Sequence, residues 1–375
     1  MTKSNIQLTS TISADNKLTL ALQDIEIPQP GADEVVIRLE AAPLNPSDLA
    51  VLFSVADMST AKQSGTEQSP TITADVPAKF MPAVKTRVGK ATPVGNEGAG
   101  TVVAAGSSPA AQALMGKTVA VIGGGTYRQF ICANVQSCLV LKEGTTAKEG
   151  ASSFVNPLTA LAMVETMRAE GHKAIVHAAA ASSLGQMLNR ICIADGVDLI
   201  NIVRKAEQET LLRDMGAKYV INSSSETFLA DLTAAIIETG ATIAFDPIGG
   251  GKLTSDILNC MEVAASRDMT EHSVYGSDTF KQVYIYGALD RGPITLNRNF
   301  GFAWAVNGFL LFNALGKLGT KTVMGMRKRV ADEITTTFAS KYTHEVSLAE
   351  ALQLKSIAAY SKQATGEKYL ITPQK

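Results

Sequence analysis

The chain has 375 residues, of which 46% are hydrophobic and 18% charged, a composition that excludes a disordered protein and is long enough for two domains. Lys and Arg total 34 against 35 Asp and Glu, so the net charge of −1 gives no electrostatic case for binding nucleic acid or another polyanion. The four cysteines, Cys132, Cys138, Cys192 and Cys260, show no C-x-x-C spacing, which argues against a disulfide framework and for a reducing compartment. The polar start and the short, Asn-interrupted apolar stretch Gly301–Gly316 lead to the expectation of a soluble, cytoplasmic protein without a signal peptide or membrane span.

In chain order, the first elements read as β. Lys17–Leu22 alternates, Pro28, Pro30 and Gly31 mark a turn, and Glu34–Leu39 follows as a strand. Gly100–Ala104, Thr118–Ile122 and Cys138–Leu141 continue the series. Between them, Ala56–Pro93 is rich in Ser, Thr, Lys, Gln and Pro and is read as an insertion, 57–92: a functional loop, a lid or a disordered segment, with a solvated excursion without chemical role as the plainer alternative. A second polar insertion is expected over Ala264–Phe280.

From Ala151 helices and strands alternate. Helices are expected at Pro157–Glu170, Ser183–Ile193, Glu207–Met215 and Phe228–Glu238. Strands are expected at Ala174–Ala178, Asp198–Val203, Tyr219–Ile221, Thr242–Asp246 and Val283–Tyr286, with Tyr369–Thr372 as a late returning strand. Such alternation implies βαβ units on a parallel sheet, hence an α/β fold. The aromatic run Phe300, Phe302, Trp304, Phe309 and Phe312 reads as a strand passing into a helix, with core burial as its ordinary role.

The turn after the first parallel strand is where a dinucleotide pyrophosphate would meet the backbone and the next helix N-terminus. Here it reads His177-Ala178-Ala179-Ala180-Ala181-Ser182-Ser183-Leu184-Gly185-Gln186. Small residues fill the turn, Gly185 permits close helix–sheet packing, and the Ser182 and Ser183 hydroxyls could cap the helix or bind phosphate. The second strand ends Val203-Arg204-Lys205, with no acidic residue to hold a ribose 2′-hydroxyl. That pattern points to a 2′-phosphate, and so to NADPH, although a solvated basic loop is the plainer alternative.

With these residues in place, the chain resembles the zinc-free medium-chain dehydrogenase/reductase superfamily over nearly its whole length. The resemblance rests on Asn45-Pro46-Ser47-Asp48, on Gly95-Asn96-Glu97-Gly98-Ala99-Gly100, on Asn156-Pro157-Leu158-Thr159-Ala160, on the cofactor turn, and on Phe245-Asp246-Pro247-Ile248-Gly249-Gly250. It implies a GroES-like β domain (1–150), a Rossmann NADP-binding domain (151–300), and a segment 301–375 that completes the second and returns to the first. It also implies cofactor contacts by Asn156, Thr159, Ala180, Ser182, Ser183, Leu184, Gly185, Gln186, Arg204, Lys205, Ile248, Gly287, Ala288, Leu289 and Lys368. For Thr159 a helix N-cap, and for Lys368 a surface position, are the competing roles.

Where zinc members of the superfamily carry Cys and His ligands, this chain has Asn45 and Asn96, so no metal is expected. The implied reaction is hydride transfer from NADPH to a quinone or similar conjugated carbonyl. Asn45, otherwise a turn former, is the candidate to polarise the acceptor. The 2-enoyl thioester reductases share N-P-S-D, G-N-E-G and N-P-x-T-A with this chain. They also carry a tyrosine acid shortly after N-P-S-D, yet 49–92 contains no tyrosine and Ala56 stands about where one is expected. A non-catalytic nucleotide-binding or structural role is the alternative of another class. Tyr127 and His177 are read as core residues, and His172, His272 and His344 form no triad pattern. A homodimer follows from the resemblance alone.

Overall fold

The computed structural model describes residues 4–267, 269–271 and 273–375, which separate into two units: 1–155 with 329–375, and 156–328. In the first unit, β1 (Ser4–Ile12) and β2 (Lys17–Glu26) form a hairpin, followed by β3 (Glu34–Pro43) and the short helix α1 (Pro46–Leu52). Next come β4 (Asp57–Gly65), β5 (Pro70–Asp75), a 3-10 helix (Ala78–Arg87), β6 (Thr92–Pro93) and β7 (Glu97–Ala105). α2 (Pro109–Gln112), β8 (Thr118–Ile122), β9 (Phe130–Asn134), β10 (Cys138–Val140) and α3 (Ala147–Gly150) complete the N-terminal part.

The second unit begins within α4 (Val155–Ala169) and continues through β11 (Ile175–His177), α5 (Ser183–Asp195), β12 (Leu199–Val203), α6 (Ala206–Asp214) and β13 (Tyr219–Asn222). After these come α7 (Phe228–Thr239), β14 (Ile243–Asp246), α8 (Leu253–Ser266), β15 (Lys281–Ile285), β16 (Trp304–Gly308) and α9 (Leu311–Glu333). The chain then re-enters the first unit with β17 (His344–Val346), α10 (Leu348–Ala351), α11 (Leu354–Tyr360) and β18 (Tyr369–Ile371).

The first unit contains two sheets. One is ordered β4-β5-β2-β1-β6; the other is β10-β8-β7-β3-β18-β17, with β9 also paired to β3. β3 is the hub, antiparallel to β7, β9 and the returning β18. Its Val35, Ile37 and Leu39 alternate inward onto Val102, Val119 and Val121, while Leu8, Leu18, Leu20 and Ile72 fill a second core under the hairpin sheet.

The second unit is one sheet of six parallel strands, β13-β12-β11-β14-β15-β16. This is the doubly wound order 3-2-1-4-5-6, whose strand order reverses between β11 and β14. Its central strands are buried on both faces, as their apolar runs dictate. α5 and α7 end on Gly196 and Gly240, both in the left-handed region, with φ of 64° and 67°.

Two sequence expectations change. The 57–92 insertion is not a structureless loop: β4 and β5 form a hairpin that extends the sheet from β2, and Ile72 and Ala74 of β5 are buried. Of the aromatic run, Phe300 and Phe309 are core, but Phe302, ahead of β16, and Phe312, in the first turn of α9, are 73% and 63% exposed. The 264–280 segment is in part the last turn of α8. No helix among the described residues is long and apolar enough to cross a membrane.

Candidate active site

In the second unit, the predicted cofactor residues gather at the C-terminal ends of adjacent parallel strands. The β11–α5 turn contains no glycine at its start, and Ala179 itself takes the left-handed conformation, with φ of 49°. Ala180 N–H donates to the Ile202 carbonyl at 3.1 Å, tying the turn to β12. Ser182 is the N-cap of α5, its Oγ accepting the Gly185 N–H at 3.1 Å. Ser183 and Leu184 open the helix, and Gln186 Nε2 donates back to the Ala181 carbonyl at 2.9 Å. A Cβ on Gly185 would meet the Ala180 carbonyl oxygen at 2.2 Å, so only glycine lets this turn close.

Arg204 and Lys205 follow β12. Arg204 is exposed, its backbone held by Gln208 and by the Ser224 hydroxyl, which donates to the Arg204 carbonyl at 3.0 Å. Lys205 pairs with Glu207 at 3.6 Å. After β14, Asp246 accepts the Ile248 N–H at 2.7 Å, and Leu289 N–H donates to the Pro247 carbonyl at 3.2 Å. The Ile248 loop therefore lies against Gly287-Ala288-Leu289, and a Cβ on Gly287 would strike the Pro247 carbonyl at 2.5 Å. The short turn, an open helix N-terminus and close backbone approaches form a cradle that fits a dinucleotide. Asn156 and Thr159 are buried in the first turns of α4; Thr159 lies inside the helix and is not its N-cap.

The first unit holds a buried polar cluster. Glu97, fully buried at the start of β7, accepts four hydrogen bonds: the Phe154 and Val155 N–H groups on Oε2 at 2.7 and 3.0 Å, and Asn45 Nδ2 and the Ser152 hydroxyl on Oε1 at 2.8 and 3.4 Å. Burial nevertheless raises its pKa, against the pull of those donors and of Lys368. Asp48, on α1, accepts the Asn45 N–H at 2.8 Å; burial and the Glu97 charge push its carboxyl up to about 7. Lys368 is not a surface lysine. It is 7% exposed, and Nζ donates to the Ser152 and Ser340 hydroxyls at 3.1 and 3.4 Å. Burial brings its ammonium down to about 8, although Glu97 and Asp48 act to raise it.

Asn45 is buried, with one amide N–H given to Glu97 and its Oδ1 unpartnered. The Asn96 amide donates to the Ser47 hydroxyl at 3.0 Å. Both asparagines at the zinc-ligand positions are thus engaged with protein groups, and an amide is a poor zinc ligand beside thiolate or imidazole. Tyr127 is core, its hydroxyl donating to the Pro43 carbonyl at 3.0 Å. His177 is fully buried, 2.7 Å from the Tyr286 hydroxyl, and burial lowers its pKa to about 3. His172 bonds Thr242, His344 stacks on Tyr369, and His272 lies outside the described residues. Sequence reading quoted Glu97 and Asp48 within motifs without giving them a role, and it missed Ser152 altogether.

No family model matches the chain. Among curated proteins it is similar to the mitochondrial enoyl-[acyl-carrier-protein] reductase of Xenopus tropicalis, 26% identical over 287 residues that cover 74% of this chain and 68% of that protein. The chain spans about two thirds of the length of the curated relatives it matches, 65% in the mouse protein. Among solved structures, one from Mesorhizobium loti assigned as an NADPH:quinone reductase is 26% identical, with a TM-score of 0.72 over 100% of this chain and 99% of that one. A mutant enoyl thioester reductase from Candida tropicalis shares the fold at 20% identity, with a TM-score of 0.65 and coverage of 98% and 99%.

These likenesses bear out the resemblance read from the sequence. The fold is that of the medium-chain dehydrogenase/reductases, a GroES-like β domain with a Rossmann domain, and the proteins the chain is similar to are oxidoreductases of that type. Its relatives include both quinone-reductase-like and enoyl-reductase proteins.

Proposed function

We propose that this chain is an NADPH-dependent, zinc-independent reductase of a conjugated carbonyl acceptor, with a quinone as the first class to test. The observation that carries the reading is the β11–β12 edge: a glycine-closed turn onto a helix N-terminus, followed by an exposed Arg204 with no acidic residue at the strand tip. The helix N-terminus and backbone N–H groups suit a pyrophosphate, and the Arg204 guanidinium suits a 2′-phosphate. Bound NADPH supplies the hydride. The protein binds and orients: in this reading Asn45 turns its remaining amide N–H to the acceptor carbonyl, and the engaged first N–H fixes its plane.

The second reading is 2-enoyl thioester reduction, favoured by the curated relatives. In both, the substrate is a small molecule, and the homodimer and cytoplasmic setting expected from sequence belong to the same proposal. The test is a titration with NADPH and NADH, followed by Trp304 fluorescence and repeated with Arg204→Ala. Loss of a charge-assisted contact worth about 1.5–3 kcal/mol weakens NADPH binding roughly 10- to 100-fold and leaves NADH nearly unchanged. Binding of neither nucleotide to the wild type sinks the oxidoreductase reading and leaves the non-catalytic role. Quinone and enoyl-thioester turnover then decides between the two acceptors.

A further inference from the structure

The parallel sheet of the second unit consists of two mononucleotide-type halves, β13-β12-β11 and β14-β15-β16, which meet where the strand order reverses. A side-chain hydrogen bond crosses that line. His177, the last residue of β11, has its Nε2 2.7 Å from the hydroxyl of Tyr286, which directly follows β15. The two rings lie 16° from parallel, with their centroids 5.9 Å apart. β14 pairs with both β11 and β15, so the two side chains reach across an intervening strand.

The pair sits where the two walls of the cradle begin. Ala178, next after His177, enters the turn that leads to α5, and its N–H donates to the Phe245 carbonyl at 3.1 Å. Tyr286 N–H donates to the Asp246 carbonyl at 3.0 Å, and the residues after it, Gly287-Ala288-Leu289, close on Pro247. His177 is fully buried, whereas Tyr286 keeps part of its surface exposed while its hydroxyl is committed to the imidazole. His177 Nδ1 has no partner, so loss of the hydroxyl would leave both ring nitrogens buried and unpaired. Burial keeps both groups neutral at ordinary pH: it lowers the imidazole to about 3 and raises the phenol. The bond is a fixed tie and not a proton switch.

We propose that Tyr286 is a positioning residue for NADPH: through His177 it ties the 287–289 loop to the strand that carries the β11–α5 turn, and so holds the wall on which the nicotinamide half would rest. The proposal rests on the NADPH reading above. The 2′-phosphate and pyrophosphate are assigned to Arg204 and the α5 N-terminus, on the β11–β12 side of the reversal, and they do not call on Tyr286. The nicotinamide half belongs to the β14–β15 side, where the tyrosine carries the loop. The two halves of the cofactor should therefore respond differently to its loss.

The test is calorimetric titration of the full chain with NADPH and with adenosine 2′,5′-bisphosphate, which has the 2′-phosphate but no nicotinamide half. Tyr286→Phe keeps the ring beside the imidazole and removes only the hydroxyl. Its NADPH affinity should fall about 10-fold, while its bisphosphate affinity stays within about twofold of the wild type. His177→Leu should reproduce the loss, and joining it to Tyr286→Phe should add little, because either change alone already breaks the bond. Wild-type NADPH affinity in Tyr286→Phe overturns the proposal and leaves the NADPH reading standing. Equal losses for the two ligands also overturn it, since they mark a general loosening of the unit. If Tyr286→Phe fails to fold, His177→Leu carries the same comparison with the same two overturning results. A wild type that binds neither ligand refutes the NADPH reading, and the proposal with it.

Discussion

Replacing Glu97 separates two roles of one carboxylate: acceptor of four hydrogen bonds and counter-charge to Lys368. Glu97→Leu orphans the Phe154 and Val155 N–H groups and the Asn45 amide, and leaves the buried ammonium unbalanced. Breaking a buried charged network in this way costs about 3–5 kcal/mol. Glu97→Gln behaves differently. Its amide oxygen can keep the two backbone donors, while the Asn45 amide turns over so that its unpartnered Oδ1 accepts from the new NH2 group. What remains is the missing counter-charge, on the order of 1–2 kcal/mol. Urea unfolding followed by far-UV circular dichroism measures both variants. The only tryptophan, Trp304, lies in the second unit, and its own transition serves as an internal reference. Gln as damaging as Leu, or Leu without effect, would refute the reasoning.

Asp48 gives the chain a pH-dependent stability. Its carboxyl is pushed up to about 7 in the folded state, from the ordinary aspartate value of 3.8, so between those values the folded state holds a proton that the unfolded state releases. Stability is therefore greatest below about pH 4 as far as this group is concerned, and falls by roughly 4 kcal/mol as pH rises through 7. Asp48→Asn should flatten most of that slope in urea midpoints taken from pH 4 to 8, and an unchanged slope would assign it elsewhere. Gly185→Val drives a Cβ into the Ala180 carbonyl. NADPH affinity should drop at least 10-fold, whereas Leu39 and its neighbours in the first unit keep their unfolding midpoint. Retained affinity would show that the turn is not the phosphate site.

The second unit was legible because its central strands are short apolar runs and the helices between them longer periodic ones. α5 was expected over 183–193 and spans Ser183–Asp195. The hairpin at 57–75 was not legible, because β4 is an edge strand whose two faces are both largely exposed, so no alternation marks it. Its partner β5 does alternate, with Ile72 and Ala74 inward, and that was the available signal. For the Glu97 cluster, Asn45 and Lys368 were singled out one by one, but nothing in the sequence showed that they meet on one carboxylate network. Its members come from positions 45, 97, 152 and 368, and Lys368 meets Ser152 across 216 residues. A lysine next to an apolar strand end looks the same in sequence whether it faces water or a carboxylate. Ala179 shows the converse: the missing glycine weakened the cofactor motif on paper, yet alanine takes the left-handed turn.

The place of β18 governs the order in which the chain can fold during synthesis. Residues 156–328 are contiguous, and all six strands of the parallel sheet are available once β16 has left the ribosome. The first unit begins earlier but finishes later, because the Ala42–Pro43 end of β3, beyond its pairing with β9, stays open until Tyr369–Ile371 arrives to pair with it and to bridge to β17. During translation, then, the nascent protein carries a closed nucleotide-type sheet beside a β half whose edge is still bare, the state in which holdase chaperones and misassociation compete. Lys368 directly precedes β18, so the last strand to dock also delivers the cation of the buried cluster.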